Sequence, residues 1–331
     1  MLNMTRREWL AAVGAGAGAA ALTGCTQRVQ FTPSSVSIVR APHYDQSLYD
    51  TVRRIVQDHG LDVRGKRVVL KPNLVEFEPE STINTHPMLV HAAYEAFRAA
   101  GAASVAIAEG PGHRRNTLDM ADAAGYFDTV GGFEDLFTDL NLDDVTHVRP
   151  QRQFSRLGKL YLPNTVLGAD LLVSMPKLKT HHWTGATLSM KNLFGVVPGG
   201  VYGWPKNVLH WAGLHECIAD LHALFPRQFA IVDGIVGMEG NGPIQGTPKK
   251  AGVLIAGADP VAVDATCCRV MQIDPFQIGY LRLASGKPDA HLMERNIRQL
   301  GEAISTVATP FELPPDFPNL RLRPLEMGGV A

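Results

Sequence analysis

The sequence predicts an α/β fold: a mainly parallel sheet with helices on both faces, in one domain or in two lobes. Three observations carry this expectation. Short apolar runs recur at 68–70, 105–108, 171–173, 229–232 and 253–256. Segments with apolar residues at helical spacing lie between them, at 45–59, 87–100, 207–224 and 260–271. The apolar runs stop at polar or glycine residues. Strands that alternate with helices in this way imply a parallel sheet covered on both sides.

The chain has 331 residues, enough for a large buried core, and its 45% hydrophobic and 19% charged content is that of a folded globular chain. A formal net charge of −1 argues against a dedicated nucleic-acid partner, because such domains carry a large positive excess. The body contains no strongly apolar stretch of the eighteen or more residues that a spanning helix needs.

The first 25 residues read as a targeting segment and are set aside from the fold. Arg6 and Arg7 precede an Ala/Gly-rich run, and Leu22-Thr23-Gly24-Cys25 follows. The first part resembles a twin-arginine export signal and the second a bacterial lipobox. The expected partners are therefore the twin-arginine translocase during export and a membrane, reached through lipidated Cys25. The body would face the periplasm or the outer surface of the membrane. Each buried methylene of such an anchor contributes about 0.8 kcal/mol. Residues 26–35, polar and containing Pro33, read as a tether, and 36–331 as a single α/β domain.

Within that body, 36–39 is a strand and 45–59 a helix with Leu48, Val52, Ile55 and Val56 at its apolar spacing and Gly60 as its stop. The strand at 68–70 ends in Lys71-Pro72-Asn73. Thr85-His86-Pro87 starts the next helix, with proline at a tolerated first-turn position. The run 105–108 ends at Glu109-Gly110. Short helices are expected near 118–124 and 133–140, and strands at 145–148 and 159–162. The run 171–173 leads to the densest polar stretch, read as a strand emptying into a cationic loop and a short helix. A single helix is expected over 207–224. A loop at 238–246 follows the strand at 229–232, and Asp259-Pro260 opens the helix to 271. One terminal strand is expected in the Pro-rich tail after residue 310.

Five strand ends carry polar residues: Lys71/Asn73, Glu109/Gly110, Lys177/Lys179/His181, Asp233/Gly234 and Asp259. If all five strands ran parallel, these ends would share one rim, where open α/β sheets bind ligands. Lys71, Lys177, Lys179 and Lys191 are candidate holders of a small anionic ligand, with Asn73, Glu109, Asn192, Gly240 and Asn241 around it; lysine supplies mobile charge and glycine frees backbone donors. The bland alternative is a solvated basic loop. Candidate acid–base groups are His181 and Lys179, with Asp233 as orienting carboxylate. A metal ion is a further candidate cofactor, with Glu239, Asp233 and His86 as ligands; the cofactor is otherwise unknown. There is no P-loop, no dinucleotide fingerprint, no serine-hydrolase elbow and no iron–sulfur cysteine motif. Cys217, Cys267 and Cys268 read as core thiols, and adjacent helical cysteines do not meet disulfide geometry.

Taken together, Lys71-Pro72-Asn73, the run from Pro176 to His181, Ser189 to Gly195, Asp233-Gly234-Ile235 with Met238 to Pro243, and Gly257 to Asp264 resemble the ordered motifs of the bacterial and archaeal domain-of-unknown-function family 362, over about residues 68–271. The resemblance implies an α/β domain without an assigned general activity. Some relatives add a ferredoxin-like iron–sulfur segment, whose cysteines this sequence lacks. The expectation is an envelope-anchored, enzyme-like protein that binds a small anion, with metal-assisted redox or isomerase-type chemistry. The alternatives are a non-catalytic ligand-binding lipoprotein and an accessory factor for an exported enzyme.

Overall fold

The apolar runs become strands because side chains on both of their faces are buried. A computed structural model of the chain describes residues 32–286 and 291–323, so the paired arginines, Cys25 and the tether up to residue 31 lie outside the described residues. The strands are β1 (Ser34–Arg40), β2 (Arg67–Pro72), β3 (Ser104–Glu109), β4 (Phe137–Asp139), β5 (Val145–Val148), β6 (Leu160–Pro163), β7 (Leu171–Met175), β8 (Lys177–His181), β9 (Gly185–Thr187), β10 (Gln228–Glu239), β11 (Thr247–Gly257) and β12 (Ile297–Gly301). Successive side chains point to opposite faces of a sheet. Accordingly Val68, Leu70, Leu171, Val173, Phe229 and Ile231 enter one core, whereas Val69, Leu172, Ala230 and Val232 enter the other.

Each core is closed by helices. α1 (Ser47–Asp58) and α2 (Pro87–Ala99) cover the first face, through Leu48, Val52 and Ile55 and through Leu89, Val90 and Phe97. α3 (Leu214–Leu224) and α4 (Pro260–Val270) cover the second, through Cys217, Ile218 and Leu221 and through Val261, Ala262 and Ala265. Each large aliphatic side chain so buried contributes roughly 1.5–3 kcal/mol. The cysteines at 217, 267 and 268 are unpaired and buried in this second core. The expected mixture of a largely parallel sheet and two helical layers is what the chain forms.

The main sheet runs β12-β1-β11-β10-β7-β2-β3-β4, with β8 and β9 branching from β10. Its half from β4 to β10 is parallel, but β11 runs antiparallel to both β10 and β1. That reversal corrects the five-end rim. The carboxyl ends of β2, β3 and β7 do lie together. Asp233 sits within β10 rather than at its end, and Asp259, past β11, caps α4 through Val261 N and Ala262 N on the opposite side of the sheet.

Several local expectations also change. β1 begins at Ser34, inside the stretch read as tether. The helix read at 133–140 stops at Leu136 and Phe137–Asp139 joins the sheet edge, pairing with β3. The helix read at 207–224 is broken before Leu214, because Gly213 takes φ 112°, outside the helical region. β10 and β11 extend past the apolar runs into a long hairpin arm, so the loop read at 238–246 begins only after Glu239. Among the described residues the terminal strand is β12, parallel to β1, and the described part of the Pro-rich tail contributes a single bridge between Arg321 and Ile273.

Candidate functional site

The stretch after β7 was expected to be a cationic loop, and it is instead a fully buried strand. Pro176 interrupts β7, its carbonyl accepts from Asp233 N at 2.8 Å, and β8 continues along β10. The register then shifts: Lys177 lies opposite Asp233, whereas Lys179, two residues on, lies opposite Met238. The shift sends the two lysines to different places. Lys177 Nζ donates to Asp233 Oδ2 at 2.7 Å and to Tyr44 Oη at 3.1 Å. Asp233 also accepts from Tyr44 Oη and His86 N, and the Tyr44 and His86 rings stack at 3.8 Å. Lys177 and Asp233 are therefore each other's buried partners, and neither reaches the cavity where Lys179 lies.

That cavity, of about 260 Å³, opens at the carboxyl ends of β2, β3 and β8. Four lysines line it, Lys71, Lys179, Lys191 and Lys206, against a single carboxylate, Glu109. Lys71 is held in place by protein: its Nζ donates to Glu109 Oε2 at 2.5 Å, Pro72 O at 2.8 Å and Asn192 Oδ1 at 3.2 Å. Glu109 accepts in addition from Leu74 N and Gly110 N. Asn192 returns its amide hydrogens to Lys71 O and Ser174 Oγ. These three side chains form the floor of the site, with their hydrogen-bonding capacity largely spent within the protein. A lysine has three donors and no acceptor, so Lys71 contributes its field rather than a free contact. The backbone passes directly over this floor at Gly195, where a Cβ would fall 1.8 Å from Glu109 Oε1 and 2.4 Å from Lys71 Nζ.

The other lysines are less saturated. Lys179 Nζ donates to Ile83 O and Pro243 O, and Lys206 Nζ to Gly110 O and Phe194 O. Lys191 has its ammonium 4.1 Å from the centroid of the Phe194 ring. Burial, reinforced by the neighbouring lysines, holds Lys179 well below the ordinary lysine range. Burial first, then the charge of Lys71, brings Lys191 to about 7, and burial brings Lys206 to about 7. Two buried polar atoms of lining residues, Asn73 Oδ1 and Thr187 Oγ1, have no hydrogen-bond partner. Buried polar groups in folded proteins are nearly always satisfied. The cavity thus combines a surplus of lysines over carboxylates with an orphaned acceptor on Asn73 and an orphaned hydroxyl on Thr187.

Histidines 181, 182 and 210 complete the lining, and their hydrogen bonds assign their tautomers. Trp183 N donates to His181 Nδ1 at 3.0 Å, so His181, which burial holds neutral, carries its proton on Nε2. His182 Nδ1 lies 2.7 Å from Gly242 O and His210 Nδ1 lies 3.2 Å from Lys206 O. A carbonyl only accepts, so in both rings Nδ1 is the donor, and the neutral form of each ring carries its lone pair on Nε2. One ring thus presents an N–H and two present a base. Exposed Trp183, Trp204 and Trp211 lie around this part of the chain, and the Trp183 ring packs edge-on against His182 and His210.

Of the residues singled out from sequence, Lys71, Asn73, Glu109, Lys179, His181, Lys191 and Asn192 meet in this cavity. Lys177 and Asp233 do not, for the register reason above. Gly240 and Asn241 also fall outside it: Gly240 O accepts from Thr180 Oγ1 and Asn241 Nδ2 donates to Gln245, while Pro243 and Ile244 of the same loop provide the wall. The metal set is not assembled. Asp233 is paired with Lys177, Glu239 with Lys249 at 3.1 Å, and His86 caps α2 by accepting from Met88 N. Among the described residues, no group of three or more His, Cys, Asp or Glu side chains has metal-binding geometry. Lys206 and Thr187 were not picked out from sequence, whereas His182 was read there as a possible metal ligand and His210 as part of a polar helix face. Lys206 carries no motif around it; it reaches Gly110 O and Phe194 O because residues 199–211 fold back over the strand ends.

The segment that carries Lys191 is fixed from α4. Asp264, fully buried, accepts from Ser189 N at 2.8 Å, Ser189 Oγ at 2.5 Å and Met190 N at 3.0 Å. Desolvation pushes its carboxyl up to about 7, against those three donors.

Comparison with known proteins agrees with the sequence motifs. A family model described as Domain of unknown function (DUF362) matches residues 68–269. The thylakoid-associated protein sll1697 of Synechocystis sp. is 28% identical over 255 residues, covering 74% of this chain and 76% of that protein. Among solved structures, the lactate racemase apoprotein from Thermoanaerobacterium thermosaccharolyticum aligns with a TM-score of 0.43 at 16% identity, over 73% of this chain and 58% of that one. A structural-genomics protein from Thermotoga maritima aligns with a TM-score of 0.34 at 12% identity, over 75% and 60%. This chain therefore spans less than two thirds of either solved chain. No helix among the described residues is long and apolar enough to cross a membrane. The match over residues 68–269, which contains the floor of the cavity, β8 and the Lys191 segment, places the chain in the DUF362 family.

Proposed function

We propose that this protein is an envelope-anchored enzyme that binds a small organic anion in the lysine-lined cavity and moves a proton on it. The single observation that carries the binding part is the imbalance of ionisable groups in the cavity lining: four lysines and one carboxylate, the latter already saturated by Lys71 and two backbone amides. Once protonated, Lys179 and Lys206 each have one N–H beyond the two carbonyls they serve, and the Thr187 hydroxyl is a further donor without a partner. An anion would restore the protonated state of lysines that burial now disfavours, since opposite charge stabilises the charged form.

The proton-transfer part rests on the three histidines. His181 offers an N–H from Nε2, and His182 and His210 offer free Nε2 lone pairs, so a donor and an acceptor of protons stand on one wall. This arrangement supports isomerase-type or redox chemistry on a carboxylate or phosphate ester better than serine- or cysteine-based hydrolysis, since neither residue type lines this cavity. Anchoring is supported by the arginine pair and lipobox-like residues before Cys25, and by the membrane-linked name of the relative.

Binding is tested by thermal shift with a panel of small carboxylates and phosphates at pH 7. The wild-type melting temperature rises with one class of anion, and Lys206→Met removes most of the rise. No shift with any anion, or an undiminished shift in Lys206→Met, rules out this cavity as the binding site. For the anchor, Cys25→Ser releases the body into the soluble fraction after cell lysis; unchanged membrane fractionation counts against lipidation.

A further inference from the structure

The four lysines of the cavity are not equivalent, and the difference points to a covalent role for one of them. Lys71 has three protein acceptors, and Lys179 and Lys206 have two each. Lys191 Nζ makes no hydrogen bond or ion pair with the described residues, and faces the ring of Phe194 instead. Its backbone is nonetheless among the most firmly held in the site, since Asp264 clamps Ser189 and Met190 immediately before it. An amine on a fixed support, without acceptors and surrounded by other cations, is the arrangement that keeps a lysine uncharged and nucleophilic. Burial and the charge of Lys71 lower its proton affinity, against the opposing charge of Glu109.

We propose that Lys191 is a nucleophile that forms an imine with a 2-oxo acid held in this cavity. The proposal rests on the anion-binding reading above and adds the substrate class. Lys179 and Lys206, through their remaining N–H groups, hold the carboxylate, which leaves the adjacent carbonyl carbon for Lys191. The Nζ lone pair forms a bond to that carbon, and the carbonyl π pair moves onto oxygen. One proton leaves nitrogen and one reaches oxygen, giving a carbinolamine. The C–O bond then breaks, oxygen leaves with both former amine hydrogens as water, and nitrogen and carbon share a double bond. No oxidant or reductant takes part. His210 is the relay for these protons: its ring packs against Phe194 at 5.8 Å, the same ring that Lys191 faces, and its Nε2 is free to accept. The imine withdraws electrons from the neighbouring carbon, so a proton there becomes removable, which is the chemistry that the histidine wall serves.

The experiment is reductive trapping. The full chain, purified from membranes, is incubated with pyruvate and sodium cyanoborohydride at pH 7, and the adduct is located by peptide mass mapping. A single reduced pyruvyl adduct on Lys191, absent from Lys191→Arg and suppressed by excess acetate, is the expected result. Adducts spread over surface lysines, or an adduct confined to another cavity lysine, overturn the proposal. The two readings separate by a parallel thermal shift with acetate and pyruvate. Stabilisation by both without any adduct overturns the nucleophile and leaves anion binding intact, whereas no stabilisation and no adduct overturn both. Wild-type mapping keeps the test decisive even if the variant folds poorly.

Discussion

At the scale of single residues, the site is organised against its own stability. Lys191 and Lys206 are held at about 7 in the folded chain, against about 10.4 for a free lysine. The sign follows from linkage: between pH 7 and pH 10 the unfolded chain binds more protons at these positions than the folded one, so stability rises with pH across that window. Each tenfold shift in a proton equilibrium is worth about 1.4 kcal/mol. The ligand-free protein is therefore expected to melt at a higher temperature at pH 9 than at pH 7, and Lys191→Met to melt higher than wild type at pH 7 with a flatter rise. Melting curves across that range check it; a wild-type melting temperature that does not change with Lys191→Met would show that this amine carries no burial penalty. The lysine character of 71, 179 and 191 was legible in sequence as charge beside apolar runs. The orphaned oxygens of Asn73 and Thr187 were not, because lacking a partner is a property of the surroundings and not of the residue.

At the scale of elements, two contacts fix the cavity walls. Gly195 lets the chain run against the Lys71–Glu109 pair, and a methyl group there meets atoms that are buried and already bonded. Overpacking of this kind costs about 1–3 kcal/mol, so Gly195→Ala is expected to lower stability by that amount in denaturant melts and to abolish anion binding, while Gly112→Ala, which meets nothing within 4 Å, leaves stability unchanged. The Lys177–Asp233 pair fastens β8 to β10 with side-chain exposures of 3% and 0%. Removing one member of a buried pair strands the other charge and costs about 3–5 kcal/mol. Lys177→Met should therefore destabilise the fold strongly, whereas a lysine that only held ligand would lower affinity and leave stability intact; equilibrium unfolding separates the two. The sequence reading of Lys177 as a ligand holder missed this, since a cationic loop was expected after Pro176, and even a two-residue strand period would place 177, 179 and 181 on one face. The three-residue shift in the β10 register, which parts them, has no local signature.

At the scale of the whole molecule, the sheet explains both what converges and what does not. β2, β3 and β7 are adjacent and parallel, so their polar ends meet at one rim and β8 extends from it. The antiparallel hairpin of β10 and β11 carries Asp259 to the other side of the sheet, where it caps α4 through Val261 N and Ala262 N and pairs with His291. Strand direction is invisible to periodicity: a two-residue alternation reads the same in either sense. Apolar runs bounded by turn residues predicted where the strands and helices lie, and did so for β1, β2, β3, β7, α1, α2 and α4 to within a few residues.

The sequence by itself determined the α/β class, the two helical layers, the order of the family motifs and the density of lysine around 177–191. These follow from local hydrophobic spacing and composition, which act over a few residues. Only the tertiary structure decided which lysines face one another. It brought Lys206 and His210 to a site more than ninety residues after β3, removed Lys177 and Asp233 from it, and left Lys191 without an acceptor. Those outcomes depend on strand direction, a register shift and the folding back of residues 199–211, all of which are set by packing between segments remote in sequence.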